Sequence, residues 1–154
     1  MPELVHEFTY YADLDPPVFC GNGPGPYGER AIVGVRGGTV EGDRVKGILM
    51  AGGADWALLG GDGYIRADVR ITIQTHDGAV IYAQYHGFLE LTPGIMEILG
   101  GGPTPTQFED QYFRTSPRLE TGDERYAWVN HTLFVGEGRL MPGPGVEYRV
   151  YRVT

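Results

Sequence analysis

The sequence predicts an all-β fold, a small antiparallel barrel of about eight strands with at most one or two short helical turns. Three observations predict it. The 154 residues include 25 glycines and 11 prolines, which long helices do not tolerate and tightly turning strands use. Ten tyrosines and six phenylalanines suit a half-buried pleated surface. No long helical periodicity is present to carry the crossovers that parallel strands require. Closing the sheet removes its edges and leaves an interior that holds side chains or one small ligand. One domain of residues 1–154 is expected, with no repeat and no long linker.

Leu4–Tyr11 has strand character, and Asp15–Tyr27, rich in Gly and Pro, reads as a loop. Arg30–Arg36 and Arg44–Met50 read as strands around a turn at Gly42-Asp43. Tyr64–Thr75 and Ala79–Leu91 are the clearest strands, joined through Asp77-Gly78, a strong hairpin signal. A two-residue loop would mix both faces. A three-residue loop, His76-Asp77-Gly78, with Gly78 left-handed in a bulge, pairs Ile73 with Ile81, Ile71 with Ala83 and Val69 with Tyr85. That face is apolar throughout, so the bulged register is preferred. Thr92–Leu99 is expected to make one or two helical turns. Gln111–Arg114, Tyr126–Val135 and Val146–Val153 are expected to supply the remaining strands.

A formal charge of −8, with arginines scattered singly, disfavours nucleic acid as a partner. Lone Cys20 excludes an intrachain disulfide and fits a reducing compartment. Met1–Phe8 has no basic start followed by an apolar run, and no stretch reaches the ~20 apolar residues of a membrane span. A cytoplasmic protein that meets no membrane is therefore expected, and a symmetric dimer is a plausible assembly. The run Gly23-Pro24-Gly25-Pro26-Tyr27-Gly28 matches a dinucleotide fingerprint only in letters, because its prolines remove amide donors and no helix follows. His6, His76, His86 and His131 show no metal-ligand spacing, so neither a metal nor a cofactor is expected.

Candidate chemistry lies in two segments. In the first, Asp55-Trp56 follows two glycines that let the backbone bend and bring a carboxylate and an indole to a cavity mouth. Beside an apolar wall Asp55 would gain a raised pKa suited to proton transfer. Asp68 and Arg70, two apart on a strand, share a face and can orient each other. His86 stands opposite Asp68 in the preferred register, and Tyr85 beside it faces the other way. The polar face is either a solvated exterior or, turned inward, a pocket lined by Asp68, Arg70 and His86. In the second segment Tyr126, Trp128 and Asn130 fall at i, i+2 and i+4, the spacing of an aromatic floor with an amide at one end.

These motifs carry a resemblance. The segments Gly37-Gly38-Thr39-Val40-Glu41-Gly42, Gly52-Gly53-Ala54-Asp55-Trp56, Ala67-Asp68-Val69-Arg70, Thr75-His76-Asp77-Gly78-Ala79, Glu120-Thr121-Gly122-Asp123 and Tyr126-Ala127-Trp128-Val129-Asn130 resemble the domain-of-unknown-function 3237 family, also called uncharacterised protein family 0311. The match runs nearly end to end, with Val129 where Leu is expected. The resemblance implies a lipocalin-like or allene oxide cyclase-like barrel and no particular reaction.

The residues themselves suggest acid–base isomerisation, cyclisation or elimination on a small aromatic or carbonyl metabolite without a redox cofactor. Asp55 would move the proton. Arg70, oriented by Asp68, would stabilise an oxyanion. Trp56, Tyr85, His86, Tyr126, Trp128 and Asn130 would hold the substrate. The alternative is a barrel that carries or senses a small ligand unchanged.

Overall fold

A computed structural model describes residues 1–154. Its strands are β1 (Leu4–Leu14), β2 (Val18–Phe19), β3 (Glu29–Gly42), β4 (Gly47–Leu49), β5 (Ala54–Leu59), β6 (Tyr64–Thr75), β7 (Val80–Glu90), β8 (Phe113–Thr115), β9 (Arg118–Glu120), β10 (Phe134–Met141) and β11 (Gly145–Val153). Helix α1 (Pro93–Leu99) follows β7, and a 3₁₀ helix (Glu124–His131) follows β9. All strand pairings are antiparallel.

The eleven strands occupy eight positions around a closed barrel, because three positions are shared by collinear pieces. β1 and β2 both lie along β3, β4 and β5 fill the slot between β3 and β6, and β8 and β9 run along β7. Each break falls where the sequence resists a ladder: Asp15-Pro16-Pro17, Gly52-Gly53 and Ser116-Pro117. Proline has no ladder donor. Gly53 is needed for another reason: a Cβ there would lie 2.4 Å from the Arg70 carbonyl oxygen. Pairing of β1 with β11 closes the circle.

Alternation decides which faces turn inward. Along β6 the residues Ile65, Ala67, Val69, Ile71 and Ile73 are buried, and along β7 Ile81, Ala83, Tyr85 and Leu89. Burying a large aliphatic side chain is worth about 1.5–3 kcal/mol, so the register that stacks these residues prevails. The β6–β7 hairpin has the bulged pairing expected from the sequence, Val69 with Tyr85 and Ile73 with Ile81. Gly78 takes φ +91°, and the Thr75 hydroxyl accepts from the Ala79 amide at 2.8 Å. Helix α1 starts at Thr92, whose hydroxyl accepts from the Ile95 amide.

Three expectations are corrected. Ala54–Leu59, not among the expected strands, forms strand β5. The Asp15–Tyr27 loop contains the short β2. Tyr126–Val135 is not one strand: its first part is the 3₁₀ helix and only Phe134 onward is extended. Asp123 caps that helix, accepting from the Arg125 amide. Tyr126 and Val129 are its buried residues, and a spacing of three is the period of a 3₁₀ helix. Asp77 in the hairpin loop pins it, accepting from the Tyr126 hydroxyl at 2.7 Å and facing Arg125 at 3.4 Å.

Candidate functional site

Asp55 points into the barrel. It pairs with Val33 on one side and Val69 on the other, and Val69 pairs with Tyr85. Asp55, Val69 and Tyr85 therefore stand in one inward row across β5, β6 and β7. Pairing of β5 with β6 is interrupted after Asp55 and resumes at Leu58. In that gap the Asp68 amide donates to the Asp55 carboxylate at 3.0 Å. Burial among apolar neighbours pushes the Asp55 carboxyl up to about 6. The Asp68 amide bond pulls against that, the Asp68 charge adds to it, and Arg30 opposes it.

Three phenols share this interior. Tyr10 from β1, Tyr85 from β7 and Tyr148 from β11 are each under 5% exposed. The Tyr10 hydroxyl donates to that of Tyr85 at 2.5 Å. The Tyr148 ring lies 5.0 Å from Tyr10 and, edge-on, 5.6 Å from Tyr85. Burial raises all three well above 10, and the Asp55 charge contributes to each rise. At neutral pH the interior thus holds uncharged phenol donors beside a carboxyl that exchanges its proton near pH 6.

Toward one end of the barrel the inward side chains near this site are only partly covered. Leu14, Val33, Asp55 and Leu59 follow the inward alternation of their strands yet remain partly exposed. The buried inward residues around them are small: Ala31, Ala57 and Ala67.

The sequence-derived candidates separate. Asp55 and Tyr85 come together in the interior. Asp68, Arg70, His86 and Trp56 lie on the outer surface, which corrects the inward alternative for the polar face. The isoleucines and valines of the opposite face bury more apolar area and take the core. Outside, Asp68 sits 3.9 Å from Arg70 and 3.5 Å from His86, and the Arg70 guanidinium lies 5.6 Å from the Trp56 ring centre. Tyr126, Trp128 and Asn130 share no face. Tyr126 binds Asp77, Trp128 packs beside Phe134, and the Asn130 amide group braces both the N–H and C=O of Thr121. Tyr10 and Tyr148 escaped the sequence reading. Their signal was an aromatic hydroxyl between aliphatic or aromatic inward neighbours, Phe8 and Ala12 for one, Val146 and Val150 for the other. No three His, Cys, Asp or Glu side chains gather as a metal-binding group.

Fold and interior define a small antiparallel β-barrel with a partly buried acid on its inner wall and three buried phenols in the same interior. The chain belongs to the protein family of unknown function DUF3237, whose model matches residues 2–153. The UPF0311 protein of Rhodopseudomonas palustris is 34% identical over 109 residues, 71% of each chain. A crystal structure of a conserved protein of unknown function from that organism superimposes with a TM-score of 0.87 at 29% identity, covering 100% of this chain and 98% of the other. A β-barrel-like protein from Acinetobacter baumannii gives 0.82 at 27% identity, covering 100% and 97%. An enzyme from Penicillium herquei shares the fold, with a TM-score of 0.71 at 22% identity over 99% and 95% of the two chains.

Proposed function

We propose that this protein is a cofactor-independent acid–base enzyme acting on a small aromatic or carbonyl metabolite inside the barrel. The observation that carries the reading is Asp55, poised near pH 6 beside the neutral hydroxyls of Tyr10, Tyr85 and Tyr148. A group titrating near the working pH is suited both to take and to return a proton. Ionised Asp55 removes a proton adjacent to a carbonyl or from a phenol, and the phenols donate hydrogen bonds to the oxygen on which negative charge develops. Returned to another atom, the proton completes an isomerisation; loss of a leaving group with the electron pair completes an elimination; attack of the new enolate or phenolate on an electrophilic carbon of the same molecule, with the proton passed from Asp55 to the atom that takes up the displaced electron pair, completes a cyclisation. The partial exposure of Asp55 supports access of such a substrate. The roles considered for Arg70 and Asp68 pass to the phenols, because both residues face outward.

Native mass spectrometry of the purified protein, with mass analysis of whatever denaturation releases, tests the reading. A recovered aromatic or carbonyl compound is then incubated with wild type and with Asp55→Asn. Conversion by wild type that falls by about 10²–10⁴ in the folded variant supports general acid–base catalysis by Asp55. Recovery of the compound unchanged from both would assign the barrel to ligand carriage.

A further inference from the structure

Charge is divided unevenly between the two faces of the barrel wall. Of the twelve lysines and arginines, only Arg152 stands at an inward strand position, opposite Phe134, and there it lies 2.8 Å from the Glu7 carboxylate. The others point outward or lie off the strands. On β6, Arg66 and Arg70 alternate with the buried Ile65, Ala67, Val69 and Ile71. On β3, Arg30 and Arg36 flank the buried Ala31 and Val35 in the same way. Arg30 is near enough for its charge to lower the Asp55 carboxyl, yet its Nη1 donates to the Trp56 carbonyl at 2.8 Å. All four histidines are exposed. Asp55 therefore faces an interior without a free cation.

Ionised Asp55 disfavours a second negative charge in such a place, and partial burial weakens the screening of that repulsion by water. What the interior offers is uncharged: the hydroxyls of Tyr10, Tyr85 and Tyr148, and apolar wall at Ala31, Ala57 and Ala67. Hydroxyl donors suit a carbonyl or phenol oxygen, whereas a desolvated carboxylate or phosphate calls for a guanidinium or an ammonium. We propose that the Asp55 site takes substrates whose enclosed part is uncharged, ketones and phenols, and turns away the matching carboxylates, with Asp55 itself imposing the choice. This rests on the reading of Asp55 as the proton-transfer group of an interior site. The charge that lets Asp55 accept a proton is the charge that repels an acid, so one residue sets both reactivity and substrate class.

Acetophenone and benzoate are close in shape and differ in charge, a methyl ketone against a carboxylate. Equilibrium dialysis of each against the full chain compares them at about pH 7.5, where Asp55 is ionised. Acetophenone should bind about tenfold more tightly than benzoate, or better. Asp55→Asn should remove most of that preference by tightening benzoate about tenfold while acetophenone stays within about threefold. Should the variant not fold, the wild type supplies the same comparison. Between about pH 7.5 and about pH 5.5 Asp55 gains most of its proton while benzoate stays charged. Benzoate should then tighten several-fold and acetophenone should not change; the histidines that also titrate there lie on the outer surface. Equal binding of the two compounds by wild type, or a preference that ignores both Asp55→Asn and pH, overturns the charge selection and leaves the proton-transfer reading standing. Binding of neither compound to either protein overturns both.

Discussion

Asp55→Asn should make the protein more stable at neutral pH. The carboxyl is held near 6 in the fold against an ordinary value of 3.8. A group whose folded value is raised contributes stability that is fully present below its unfolded value and is lost as pH rises through the folded one. Between about pH 4 and pH 6 the native state binds the extra proton, so wild-type stability falls across that interval. With about 1.4 kcal/mol per pH unit, the loss approaches 3 kcal/mol by pH 7. Asparagine carries no charge to desolvate, and its carbonyl oxygen can still accept from the Asp68 amide. The variant should therefore gain about 2–3 kcal/mol over wild type at pH 7–8, roughly 4–12 °C in Tm for a chain of this size. Below pH 4 the gain should vanish. Urea unfolding of both proteins from pH 4 to pH 8 measures the difference directly. Asp62 and Asp77, held near 2, act at lower pH and cancel between the two proteins. If wild type and variant have parallel stability profiles, Asp55 is not a desolvated interior carboxyl, and the proton-transfer role loses its basis.

Tyr85→Phe removes the acceptor of the Tyr10 hydroxyl inside the barrel, so it should destabilise by about 1–3 kcal/mol in denaturant melts. Any turnover found should drop by about 10²–10³ if the phenol faces a developing oxyanion; an unchanged rate removes Tyr85 from the chemistry. Arg70→Ala alters only the outer surface, and stability within about 0.5 kcal/mol of wild type is expected, with activity retained. Loss of activity in that variant would show that the outer face works. On alkaline titration, absorbance at the phenolate band should reveal a late group of tyrosines. Tyr10, Tyr85 and Tyr148 are raised well above 10 by burial, so their contribution to stability persists below pH 10 and is lost as pH rises beyond it. They should ionise together with unfolding, whereas early, reversible ionisation of all ten tyrosines would contradict a packed trio.

Much of the barrel was legible because its causes are local. Alternation along Tyr64–Thr75 and Val80–Glu90, with Asp77-Gly78 between them, sets both the hairpin and its bulged register. Asp55 could be singled out from its two preceding glycines and apolar surroundings. The strand expected over Tyr126–Val135 failed in its first part for an equally local reason: the Asp123 cap and the Asn130–Thr121 bonds favour a 3₁₀ helix, which buries Tyr126 and Val129 at a spacing of three. Face assignment needed more. Both sides of β6 have residues that could be buried, and only competition for the shared interior sends Val69 inward and Asp68 outward.

The sequence by itself determined an all-β chain, its central hairpin and the presence of an unusual aspartate, since these follow from period, turn chemistry and neighbours along the chain. The tertiary structure alone decided that Tyr10 and Tyr148, at opposite ends of the sequence, meet Tyr85 near Asp55. Closure of β1 on β11 brings them there. The same closure removes much of the water around the carboxyl and raises its proton affinity, because desolvation depends on everything packed around a group and not on its sequence neighbours alone.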